Sequence, residues 1–185
     1  MLLAAFASLG LTLASLTSAS PLKPRQASHP DRFHLQTQVY PGINDSGTNK
    51  NGLFVFSYHT GAGLGMAAAD PPTGPSDENS WFYFNDTDTG LYWTYTNNTI
   101  GPWPTALLYG PYQAFNPISI SIAGEDATPG FFFNQTGLQS NLSENGWLAC
   151  DWWYQDPQIF AFNGHLAGPL PTSCSRVNLV PVAVT

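Results

Sequence analysis

The stretch "RFHLQTQVY", Arg32 to Tyr40, decides the fold class. Phe33, Leu35, Thr37 and Val39 alternate with His34, Gln36 and Gln38. A period of two marks a strand with one buried face. The same reading extends along the chain. "NGLFVFSYH" (51–59) gives a second strand, and "SWFYFNDTDTGLYWTYT" (80–96) a hairpin that turns between Asn85 and Gly90. "NPISISIAG" (116–124) sets Ile118, Ile120 and Ile122 on one face and Ser119 and Ser121 on the other. "GFFFNQTGL" (130–138), "GWLACDWWY" (146–154), "PQIFAFNG" (157–164) and "SRVNLVPVAV" (175–184) bring the total to roughly nine or ten strands. No segment sustains a helical period. "GMAAAD" (65–70) reads as one helical turn at most before Pro71-Pro72.

Composition agrees. Aromatic residues are 14% of the chain and charged residues 9%, so strand-forming side chains dominate between Gly, Pro and Asn clusters. The expectation is a single compact all-β antiparallel domain. Three hairpin-like segments echo one another: "FYFNDTDTGLYW" (82–93), "FFFNQTGLQS" (131–140) and, more weakly, "LFVFSYHTGAGLG" (53–65). They favour a closed barrel of β-trefoil type, with a β-sandwich as the alternative.

The chain opens with "MLLAAFASLGLTLASLTSAS", an apolar run broken by Ser and Thr and closed by small residues, although it lacks a basic start. That is the profile of a signal peptide over residues 1–19. Residues 20–30, with Lys23-Pro24-Arg25, read as a processed or flexible linker, and 31–185 as the domain. Beyond the linker's basic pair only Arg32, Lys50 and Arg176 are basic, against all 12 acidic residues. No basic stripe exists for nucleic acid or an anionic membrane, and neither is expected as a partner. Five Asn-x-Ser/Thr sequons, at Asn44, Asn85, Asn97, Asn134 and Asn141, fit a secreted glycoprotein. The two cysteines, Cys150 and Cys174, read as one disulfide in an oxidising compartment. The expected location is extracellular or in the cell wall, and the oligomeric state is left open.

Candidate chemistry is sparse. "YHTGAGLG" (58–65) lacks the third glycine and the helix of a dinucleotide loop, and reads as a tight turn or bulge. No nucleophile elbow is present. His59 is the best single acid/base candidate, beside His34 and His165, but a strand-end histidine satisfied by backbone is the simpler reading. No metal site is expected and no cofactor is implied. In "GWLACDWWYQDPQIF" (146–160), parity places Leu148, Cys150, Trp152 and Tyr154 on one face, assigned to the core. Trp147, Asp151 and Trp153 then form an acidic–aromatic outer face, a candidate glycan platform.

The ordered segments "FHLQTQV", "GLFVFSYHTGAGLG", "GFFFNQTGLQ", "GWLACDWWYQDPQIF" and "SCSRVNLVPV" resemble a family of small secreted ascomycete proteins carrying a domain of unknown function. The closing Cys-Ser-x-Val-x-Leu is also similar to the C-terminal region of Pir-type fungal cell-wall proteins. The resemblance implies fungal origin, secretion and one β domain. It carries no activity and no site residues. The leading expectation is a secreted, non-catalytic protein that binds cell-wall or host glycans through Trp147, Asp151 and Trp153. One alternative is a glycoside hydrolase pairing Asp151 with Asp156 or Glu144. The other is a structural or effector-type surface that binds protein.

Overall fold

The computed structural model describes residues 28–41, 49–71, 80–110, 113–123, 126–143, 145–152, 154–164 and 169–184. The leader, the linker up to residue 27, Asn44, Glu144, Trp153 and His165 lie outside them. Among the described residues there are twelve strands and no helix. They are β1 (Phe33–Val39), β2 (Phe54–Gly61), β3 (Leu64–Asp70), β4 (Ser80–Phe84), β5 (Leu91–Tyr95) and β6 (Trp103–Leu107). β7 (Phe115–Ile120), β8 (Phe131–Asn134), β9 (Gly137–Ser140), β10 (Trp147–Cys150), β11 (Gln158–Phe162) and β12 (Cys174–Ala183) follow.

Ten strands form one antiparallel sheet, and β8–β9 is a separate hairpin. β1 pairs with β12 over its whole length, from Phe33↔Ala183 to Val39↔Val177. Its other edge is divided: Gln36 meets Phe54 of β2, while Phe33 meets Phe82 of β4. β11 is shared in the same way, with β10 on one edge and both β3 and β7 on the other. Following the pairings, β10–β12–β1–β4–β5–β6–β7–β11 returns to β10. The β2–β3 hairpin is wedged into that circuit. The architecture is therefore all-β as expected but not a clean barrel, and the three echoing segments have no threefold arrangement. Each is nonetheless a hairpin: β4–β5, β8–β9 and β2–β3. Phe-Asn-…-Gly-Leu records a turn, not a repeat.

One hydrophobic core takes side chains from all twelve strands, Leu35, Phe82, Phe133, Trp147, Ile159 and Leu179 among them. A smaller cluster, Leu148, Cys150, Phe162 and Cys174, lies apart from it. Cys150 and Cys174 face each other directly in the β10–β12 ladder and are disulfide-bonded.

The segment 65–70, read above as at most a helical turn, is instead strand β3. Ala67, Ala68 and Ala69 are buried there because β3 has β2 on one edge and both β11 and β7 on the other. A crowded junction selects small side chains, and that selection overrides alanine's helix propensity. Gly65 shows how tight it is. A Cβ at this position would stand 2.1 Å from Ser57 Oγ and 2.6 Å from the Ile120 carbonyl oxygen. Gly65→Ala is therefore expected to destabilise the fold by about 1–3 kcal/mol through overpacking. Urea unfolding monitored by tryptophan fluorescence checks this, and an unchanged midpoint contradicts it.

Candidate functional site

The platform expected on Trp147, Asp151 and Trp153 is not presented as such. Trp147 is 1% exposed, stacks against Phe131, and donates its indole N–H to the Leu138 carbonyl at 2.6 Å. Strand parity holds in β10, and the Leu148/Cys150 face is buried as expected, but the Trp147/Ala149 face is buried as well. Trp147 and Ala149 point into the main core, whereas Leu148 and Cys150 point into the smaller cluster. The physical reason is volume. A twelve-strand interior needs a large filler, and an indole whose N–H finds a carbonyl can be fully buried. β10 also ends at Cys150, earlier than the expected Tyr154.

Half-buried aromatics near Asp151 come from elsewhere. On β2, Val55 points into the core, so Phe54, Phe56 and Tyr58 line the outer face. Beyond Cys150 the chain turns over that face. Asp151 N–H donates to the Ser173 carbonyl (2.8 Å), Gln155 N–H to the Trp152 carbonyl (2.9 Å), and Ala69 N–H to the Pro157 carbonyl (2.9 Å). The turn is thus fixed at both ends, and Gln155 sits at φ 80°, a left-handed conformation that costs roughly 1–2 kcal/mol outside glycine. Its geometry brings Trp152 and Tyr154 onto Tyr58. Ring centroids are 5.2 Å (Tyr58–Trp152), 4.9 Å (Tyr58–Tyr154) and 4.5 Å (Trp152–Tyr154) apart. Phe56 lies 6.1 Å from Tyr58, and His34 lies 5.4 Å from Phe54, so aromatic contacts mark both ends of β2's outer face.

Polar residues neighbour the three rings in sequence. Asp151 is 32% exposed, and its carboxylate lies 3.1 Å from Lys50 Nζ, whose side chain is completely buried. Asp156, half-buried at the end of the turn, has its carboxyl pushed above the ordinary value by desolvation. His59, the expected acid/base candidate, is exposed next to the β2 bulge. Among the described residues no cluster of three or more His, Cys, Asp or Glu is arranged to hold a metal. Chemically, the three rings present C–H-stacking faces, with hydroxyl and carboxyl groups at their margin.

A second aromatic group lies on the outer face of β4–β5. The Arg32 guanidinium is 4.9 Å from the Trp81 ring centre, and Tyr83 stacks on Tyr92. The Tyr92 hydroxyl donates to Asp88 at 2.6 Å. That bond pushes the Tyr92 hydroxyl up to about 12 and holds the Asp88 carboxyl below its ordinary value.

Two outcomes follow. Asp151→Ala removes a carboxylate 3.1 Å from a buried ammonium and is expected to cost about 2–3 kcal/mol, low for a buried pair because the Asp151 side chain is partly solvated. The double variant Lys50→Met/Asp151→Ala should recover part of this loss in the same denaturation experiment. For Tyr92, the folded value lies above the unfolded value of about 10, so the bond's contribution is intact below pH 10 and lost between pH 10 and 12. Burial also raises the Tyr83 hydroxyl, so ultraviolet titration should show late phenolate steps, the latest of which is missing in Tyr92→Phe.

Neither the curated proteins nor the solved structures contain a match to this chain. A family model does match, over residues 30–183, a span that takes in every strand. The chain belongs to the family described as domain of unknown function DUF7907.

Proposed function

We propose that this domain is a secreted, non-catalytic glycan-binding protein and that its sugar-contacting surface is the Tyr58–Trp152–Tyr154 cluster. The observation that carries the reading is the convergence of these three half-buried rings, from β2 and from a backbone-pinned turn, beside Asp151 and Asp156. Sugars present apolar C–H faces and hydroxyl edges, which call for flat aromatic surfaces with acceptors around them. A fixed turn holds the rings without an ordering cost on binding. The low charge of the chain suits a neutral polysaccharide, and the leader and sequons support export to where cell-wall or host glycans are met.

The test is retention of the exported protein on insoluble chitin, β-glucan, mannan and cellulose, together with tryptophan emission in the presence of soluble oligomers. Retention on at least one polymer is expected. Trp152→Ala and Tyr58→Ala should each weaken it about tenfold or more, the effect of losing an aromatic anchor worth at least about 1.4 kcal/mol. Absence of retention on all four polymers, with unchanged emission, overturns the reading.

A further inference from the structure

Sequon position in the fold separates the potential acceptor asparagines. Three of the five share one sequence pattern, an aromatic residue two before the asparagine and a threonine two after it. They are Tyr83-x-Asn85-x-Thr87, Tyr95-x-Asn97-x-Thr99 and Phe132-x-Asn134-x-Thr136. The structure treats the three differently. Asn134 is the last residue of β8, so Phe132 and Asn134 project from the same outer face, while Phe131 and Phe133 are buried in the core. Phe132 is half-buried opposite Gln139, and Asn134 is exposed. The Asn134 Oδ1 accepts the Thr136 N–H and the Thr136 hydroxyl, both at 2.8 Å. These bonds fix the amide through its oxygen and leave the nitrogen, the atom that carries an N-linked sugar, on the exposed side. At Asn97 the left-handed backbone (φ 64°) breaks the alternation, and Tyr95 packs against the core instead. At Asn141 the residue two before is Gln139. At Asn85 the amide nitrogen already donates to Asp88, and Tyr83 is stacked on Tyr92.

We propose that Asn134 carries an N-glycan whose innermost N-acetylglucosamine packs its apolar face on Phe132, making the sugar part of the β8–β9 hairpin. Residues i and i−2 of a strand are about 6.6–6.8 Å apart on one face, a spacing at which a sugar attached at one can lie over the ring of the other. The reaction is ordinary group transfer from a lipid-pyrophosphate-linked oligosaccharide. The Asn134 Nδ2 bonds to the anomeric carbon, the bond from that carbon to the pyrophosphate oxygen breaks, and the leaving lipid pyrophosphate takes up the proton lost from the amide. The sugar shields a ring that is otherwise half in water, on a hairpin that pairs with no other strand among the described residues. This inference is independent of the Tyr58 cluster and needs only passage through a secretory pathway.

The full chain is secreted from yeast with the other sequons removed by Ser46→Ala, Thr87→Ala, Thr99→Ala and Asn141→Gln. Glycopeptide mass spectrometry then reads Asn134 occupancy. Melting is compared after trimming to one N-acetylglucosamine and after complete enzymatic removal of the glycan. Occupancy is expected, and the trimmed form should melt about 2–4 °C above the stripped form, as a ring contact of ordinary strength would give. In Phe132→Ala the two forms should melt within about 1 °C of each other, while Phe132→Tyr should keep the difference. An unoccupied Asn134, or the same difference with and without the ring, overturns the proposal.

Discussion

A strand has two edges, and β1 serves three partners. One edge is given entirely to β12, and the other is divided between β2 and β4. Because β2 and β4 meet different portions of β1, they diverge, and the sheet forks there instead of continuing as one surface. β11 forks in the same way between β3 and β7. The two forks hold the β2–β3 hairpin inside a circuit that would otherwise close as a simple barrel. They also explain why β3 is built from alanine and glycine where most strands are built from aromatic and branched residues.

The fork has a surface consequence. A hairpin inserted at a junction has one face turned to the core and one turned outward, and on β2 the outward face is aromatic. The turn that follows the disulfide reaches across to it. The bridge, the Asp151 amide and the Pro157 carbonyl constrain that turn at three points along seven residues or so, and Gln155 takes up the resulting backbone strain. Constraint of this kind is what a rigid recognition surface needs, and it is built from strand pairing and a cross-link without help from helices.

How much of this was legible from sequence depended on range. Alternation in Arg32–Tyr40 and the Phe-Asn-…-Gly-Leu turns identified β1 and the hairpins, because the period and the turn chemistry are local. The disulfide was legible because only two cysteines exist. Parity in β10 was legible too, and so was the burial of Leu148 and Cys150, but the burial of the opposite face was not. That depends on the volume left by eleven other strands, and Trp147 fills it. The Ala67–Ala69 strand was hidden for the same reason, since its composition answers to neighbours far away in sequence. The aromatic cluster was beyond reach altogether: Tyr58 and Trp152 belong to distant parts of the chain, and no local pattern announces that they meet.

The pairing of β1 with β12 has a consequence for biosynthesis. The first described strand finds its long partner only in the last described one, so the circuit cannot close until β12 has been made. Until then β1 lacks its longest ladder, and topology of this order makes for slow folding. The nascent chain therefore stays open and apolar along the free edge of β1 until β12 has emerged.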